Sequence, residues 1–298
     1  MFHVKHFCRQ DRHKNATVRQ FCFCKNKIAL QAAENSLQCI PERPDGEHPV
    51  KMFHVKHSEL MEKEEFLNRI FNKAGCSLTV WQCQALEQYA DMLQEWNRKF
   101  NLTAITEFEE IAVRHYLDSA APLFRNSEAV GGRLIDVGSG AGFPGLVLKI
   151  LKPELEVVLA DSLQKRIGFL QAVIDALQLT GIRAVHGRAE DLARQKEFRD
   201  AFDLSAARAV APLSVLAEWC LPFVKPGGMF LAYKTESAPD EIEQASGAID
   251  KLCGKTEKCD LFELPGTEYK RSLVWIRKKR PTPAIYPRKA GAASKKPL

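Results

Sequence analysis

The chain has 298 residues, 45% apolar and 27% charged, with a net charge of +6 and nine cysteines. That balance is typical of a water-soluble fold and supplies one large or two modest domains, and no apolar run approaches the length of a membrane span. The cysteines are scattered without a disulfide framework, which fits a reducing cytoplasm. The positive charge is local. Arg277, Lys278, Lys279, Arg280, Arg288, Lys289, Lys295 and Lys296 fall in the last 22 residues with no acid among them, and without those eight the balance of +6 becomes −2. Such a tail favours a polyanionic partner.

Residues 1–51 differ from the rest of the chain. They hold Cys8, Cys22, Cys24 and Cys39, four of the eight histidines, and a proline-rich exit at Pro41, Pro44 and Pro49. The start lacks the apolar core of a secretory leader. Cys22 and Cys24 do not have the spacing of a zinc pair, so no metal site is expected. The hexapeptide MFHVKH occurs at 1–6 and again at 52–57. It is too short to be a stacked repeat. One back-translation is its own reverse complement and resembles the palindromic sites bound by bacterial chromosome-partitioning proteins, which makes Met52 a candidate start. Residues 1–51 are expected to be an extension with no part in catalysis.

From Glu62 the pattern becomes helical. Thr79 is a good N-cap for a helix whose apolar positions run from Val80 to Phe100, and a second helix is expected over 107–117. Residues 52–130 thus read as a small helical lobe. The next stretch, RLIDVGSGAGFPG at 133–145, organises the rest: an apolar strand, a glycine turn with Gly138, Gly140, Gly142 and Gly145, then an apolar helix. Glycines there let the backbone turn sharply and lie close to a ligand. The match to a dinucleotide fingerprint is weak alone, but its place between strand and helix favours a nucleotide-like ligand.

Strands and helices then alternate. Strands are expected at 156–160, 183–186, 202–206 and 229–233, helices at 213–223 and 239–252, a turn at Pro226-Gly227-Gly228, and closing strands near 258–263 and 272–276. The alternation implies an α/β domain over 131–280, with a largely parallel sheet and helices on both faces, followed by a basic tail at 281–298. Ligands of such sheets bind beyond the carboxyl ends of the strands, where Asp136, Asp161, Glu190 and Arg208 fall. Asp161 lies 19 residues past Gly142, a placement suited to ribose hydroxyls. That placement serves NAD equally, but the chain beyond it shows no hydride-transfer residue and no second substrate lobe.

Taken together, Asn101-Leu-Thr, Arg114-His115-x-x-Asp118-Ser119, Asp136-Val-Gly-Ser-Gly with Phe143-Pro144-Gly145, Asp161-Ser162-x-x-Lys165-Arg166, Ala189-Glu190, Arg208-Ala209 and the closing YPRKAGAASKKPL resemble one family. It is the glucose-inhibited division protein B family, the small-subunit ribosomal RNA guanine-N7 methyltransferases. The resemblance spans 52–298 and implies a class I, Rossmann-like methyltransferase fold with a seven-stranded sheet, and S-adenosylmethionine as cofactor. It implies Gly138, Gly140 and Phe143 around the methionine portion, Asp161 on the ribose, Ala189 and Glu190 beside the adenine, and Arg208 at the pocket edge. The implied partner is 16S ribosomal RNA, naked or in a small subunit or assembly intermediate, with neither membrane nor metal.

Guanine N7 has a free lone pair, so the reaction needs alignment and no general base. No catalytic residue is therefore assigned. Arg114, His115, Lys234 and Arg288 are substrate-side candidates for guanine O6 or phosphates. Lys165 and Arg166 read as ordinary helix-surface charges, and Cys220 as a core thiol. The tail is expected to contact RNA phosphates without affecting cofactor affinity. The alternatives that stay open are a methyltransferase for another RNA, one for a protein or a small molecule, which needs no basic tail, and a non-catalytic RNA-binding module, which needs no pocket.

Overall fold

A computed structural model describes residues 49–298, with side chains described from residue 61. The expectations for the extension, including the first hexapeptide and the rejected zinc pair, lie outside the described residues apart from its last three positions. The second hexapeptide falls within the first helix, α1 (Pro49–Lys73).

The described residues form a seven-stranded sheet: β1 (Arg133–Val137), β2 (Glu156–Asp161), β3 (Ile182–His186), β4 (Phe202–Arg208), β5 (Val224–Lys234), β6 (Gly254–Glu263) and β7 (Lys270–Lys278). Their order is β3-β2-β1-β4-β5-β7-β6. The first five strands pair in parallel, and β7 runs antiparallel between β5 and β6. Strand order reverses at β1, which has β2 on one side and β4 on the other, and the crevice beyond that switch point is where such sheets bind ligands.

Each face of the sheet closes a core, and the period-two alternation of the strands sorts residues between them. Leu134, Leu159, Leu204, Leu231 and Trp275 belong to one core; Ile135, Val158, Phe230, Val274 and Ile276 belong to the other. The first core also contains Leu86, Tyr89 and Leu93 of α2 (Val80–Phe100), so the helical segment and the sheet share one interior. Residues Lys56–Leu298 accordingly cluster as one compact unit, with no boundary near residue 130.

Local chemistry fixes this docking. Thr79 and Gln82 form a reciprocal capping box at the start of α2. The amide of Gln82 also donates to the carbonyls of Ile150 and Leu151, at 3.2 and 3.1 Å. Those carbonyls end the helix that succeeds the glycine turn, whose orphan acceptors need donors. Truncating a fully buried leucine such as Leu86 removes packing on both sides of this joint and costs about 2–5 kcal/mol.

Two expected elements differ in extent. The helix expected over 107–117 runs as α3 (Phe108–Ile111), a π-helical stretch at Ala112–Leu117, and α4 (Asp118–Asn126). The wider turn shifts the helical register and interrupts the 3.6-residue period that would have marked one long helix. Pro226-Gly227-Gly228 is not a turn ahead of a strand. It lies within β5 as a bulge, where Phe202 pairs with Val224 and Leu204 with Met229.

Candidate active site

Beyond the carboxyl ends of β1, β2, β3 and β4 lies a cavity of about 620 Å³, the size of a site for a drug-sized ligand. The glycine turn forms its floor. Gly140 has φ +61°, and a Cβ added there meets nothing closer than 3.9 Å, so this glycine leaves ligand-sized space beside a left-handed backbone. Gly145 serves packing instead: a Cβ there would stand 2.5 Å from Leu159 and 2.8 Å from the Asp136 carboxylate.

The three acids at the strand ends have separate tasks. Asp136 is fully buried and does not line the cavity. Its Oδ2 accepts from the Gly145 amide at 2.9 Å, pinning the start of α5 (Gly145–Leu151), while burial pushes its pKa up to about 7. Asp161 lines the cavity, accepting from the amides of Gly140 and Leu163 at 2.9 Å each and from the Arg166 guanidinium at 3.2 Å. Glu190, on the short α7 (Ala189–Leu192), lines the cavity with one oxygen on the Gly291 amide at 3.0 Å. Its other oxygen has no donor among the described residues.

A polar cluster closes the opposite edge. Arg208, the last residue of β4, donates to Asp118 at 2.8 Å, to the Arg114 carbonyl at 3.1 Å and to His115 Nδ1 at 3.0 Å. Arg271 donates to the other oxygen of Asp118 at 3.0 Å, so one buried carboxylate holds two arginines. Guanidinium is only a donor, so His115 Nδ1 accepts, and Nε2–H donates to Thr103 Oγ1 at 3.0 Å. Burial and the Arg208 and Arg114 charges push the His115 pKa down to about 3. The neutral ring lies on Phe143, with centroids 4.3 Å apart at 18°. The π-helical turn presents this ring to the cavity.

Gly138, Gly140, Phe143, Asp161, Ala189, Glu190 and Arg208 all line this one cavity, together with His115. The other substrate-side candidates do not. Arg114 is half-buried, paired with Glu110 at 2.9 Å and set over the Tyr269 ring. Lys234 is committed to Glu241 at 2.6 Å and to the Ala211 carbonyl. Arg288 is locked onto Glu218. Both cations satisfy acceptors inside the fold, Lys234 through two bonds and Arg288 through Nε and Nη2. Arg166 corrects the opposite expectation: it is not an ordinary surface charge, because it lines the cavity and neutralises Asp161. Cys220 is a fully buried thiol whose pKa burial raises strongly.

Several lining residues carry no separable sequence signal. Thr103, Trp219, Gly291 and Ser294 reach the cavity from elements far apart in the chain. Thr103 and Asp118 were visible only as members of longer motifs, and Arg271 not at all. Among the described residues there is no cluster of metal-ligating side chains, and no helix is long and apolar enough to cross a membrane.

Known sequences resemble this chain closely. The family model described as rRNA small subunit methyltransferase G matches residues 82–268. A protein of Lachnoclostridium phytofermentans named ribosomal RNA small subunit methyltransferase G is 48% identical over 224 residues, 75% of this chain and 93% of that one. Proteins of the same name from Geobacillus thermodenitrificans (45% identical over 238 residues) and Streptococcus pneumoniae (44% over 241) are each matched over their full length and over 80% of this chain.

Proposed function

The chain belongs to the rRNA small subunit methyltransferase G family and is a methyltransferase of small-subunit ribosomal RNA, and we propose that it uses S-adenosylmethionine to methylate N7 of a guanine. The observation that carries the cofactor reading is the pairing, in one cavity, of a left-handed glycine turn with two carboxylates on successive strand ends. The residues present fit that cofactor: the open space beside Gly140 would admit part of it, Asp161 would accept from ribose hydroxyls, and the second oxygen of Glu190 would accept from an adenine amine.

When bound, the cofactor would supply an electrophilic methyl group, carried on a sulfonium, for transfer to the N7 lone pair. No proton is removed beforehand. The cavity is suited to such a reaction because its imidazole is not a base: both His115 nitrogens are committed, and the ring stays neutral. What the chain contributes is position. Asp118 fixes Arg208, Arg208 fixes His115, and His115 fixes Phe143 beside the glycine turn. Aligning reactants in this way contributes up to roughly 7–11 kcal/mol in ideal models. A guanine in folded RNA must be exposed or flipped to reach the methyl group. Arg114 and the exposed Lys165, Arg188 and Lys289 supply cations for phosphates.

The test is to map N7-methylguanine in small-subunit ribosomal RNA after incubation with the protein and S-adenosylmethionine, using naked RNA and isolated subunits in parallel. A new N7-methylguanine in either substrate supports the reading. Methyl transfer to another atom or base overturns the N7 assignment, and methylation without S-adenosylmethionine overturns the cofactor.

A further inference from the structure

We propose that the C-terminal segment 281–298 is a wall of the cofactor cavity, latched to the fold at Arg288, and that it helps select an adenine nucleoside. The inference rests on the cavity's being the S-adenosylmethionine site. It departs from what the segment's basic composition suggests, since the residues that fix it are buried contacts and not free charges.

The latch is an ion pair formed from the inside of the protein. Glu218, on α8 (Leu213–Cys220), is 1% exposed, and its carboxylate accepts from the Arg288 amide at 2.7 Å, from Nε at 2.9 and 3.1 Å and from Nη2 at 2.6 Å. A carboxylate this deep is held only with a charged, geometrically matched partner. Two arginines beyond the end of α7 hold the backbone that leads into the latch. Arg199 donates to the carbonyls of Thr282 and Tyr286 at 2.7 and 3.0 Å, and Arg194 to that of Pro287 at 2.5 Å. Ala293, on the short helix α9 (Ala292–Lys295), is 1% exposed.

The segment then reaches the cavity. Gly291 and Ser294 line it beside Ala189, Glu190 and Trp219. The Gly291 amide occupies one Glu190 oxygen, at a φ of +80° that favours glycine. This bond orients the carboxylate and leaves its second oxygen as an acceptor. An acceptor here matches the exocyclic amine of adenine and has nothing to pair with at the corresponding oxo group of hypoxanthine. The sequence-based expectation that cofactor affinity is independent of the tail is therefore replaced by dependence on it.

The experiment is calorimetric titration of the full chain, a chain ending at Arg288 and the Ser294→Trp variant with S-adenosylhomocysteine, adenosine and inosine. Ending at Arg288 keeps the latch and removes the wall; Ser294→Trp keeps both and fills the cavity. The expected result is at least a tenfold weaker binding of S-adenosylhomocysteine and of adenosine in each variant, with an unchanged melting temperature in Ser294→Trp. The full chain should prefer adenosine to inosine, and the truncated chain should lose most of that preference. Full affinity and full base preference in both variants would overturn the tail's role while leaving the cofactor site intact. Failure of the full chain to bind S-adenosylhomocysteine would overturn the cofactor reading and this inference with it.

Discussion

The glycine turn and the C-terminal segment both present backbone to the same cavity, yet they are held there by opposite means. The turn is local: within the 19 residues 133–151 it has its strand, its left-handed glycines and its helix, and the Asp136 carboxylate that secures it lies nine residues from Gly145. The segment at 281–298 has almost no structure of its own. Its position comes from Glu218, 70 residues away, and Glu190, 101 residues away. A locally determined wall is sensitive to the shape of single residues, whereas a remotely latched wall is sensitive to the charge that anchors it.

That contrast is broken most directly at Gly140. Gly140→Val is expected to abolish S-adenosylmethionine binding with the fold intact. Its branched side chain opposes φ +61° and projects into otherwise empty ligand space. Calorimetry beside a thermal melt checks this, and ordinary affinity in a normally folded variant would reduce the loop to a mere turn.

The remote wall should fail through stability first. Arg288→Met leaves the Glu218 carboxylate buried and unpaired, and removing one partner of such a pair costs about 3–5 kcal/mol. With Arg288 itself partly exposed, the lower end, about 3 kcal/mol, is expected in urea unfolding. Recovery of most of that loss by a second change, Glu218→Leu, would show that the cost comes from the orphaned charge. Equal stability of Arg288→Met and the parent would disprove the latch.

Asp161 lies between the two regimes. Its carboxylate is fixed by the local turn through the Gly140 amide, but also by Arg166 on α6 (Gln164–Ala176). Asp161→Ala should weaken cofactor binding by about 1.5–3 kcal/mol, the worth of a hydrogen bond to a charged group. An unchanged dissociation constant would remove Asp161 from the site and assign it to the loop alone.

The same division decides what could be read in the sequence. The strand–turn–helix unit, the largely parallel sheet and the residues at the strand ends were legible because each rests on a short-range period or on backbone rules. The commitment of Lys234 and Arg288 inside the fold was not legible, because a cation's sequence neighbours do not show the carboxylate that takes it, here the partly exposed Glu241 and the buried Glu218. Arg166 was misread in the reverse direction, since helical spacing cannot tell a solvent-facing arginine from one directed at the end of β2. The π-helical turn left a broken period and no positive mark, although it carries His115.

The smallest effect expected concerns that histidine and sharpens the comparison at the edge farthest from the tail. His115 is neutral in the fold, its pKa lowered from 6.5 to about 3 by burial and by the Arg208 and Arg114 charges. In the unfolded chain it takes up a proton near pH 6.5, so below that the unfolded state binds more protons than the folded state. Stability from this residue is therefore complete above pH 6.5 and is lost as pH falls toward 3. Asp136 and Glu87, both raised to about 7, act in the opposite sense and mask the slope of the whole protein. The measurement must be a difference: the stability of the parent minus that of His115→Asn, followed from pH 7 to 5.5. Asparagine retains an acceptor where Nδ1 faces Arg208 but does not titrate. The difference should shrink by about 1 kcal/mol over that interval. A constant difference would mean that His115 titrates alike in both states, so that Arg208 does not hold it neutral and the alignment from Asp118 to Phe143 ends at the arginine.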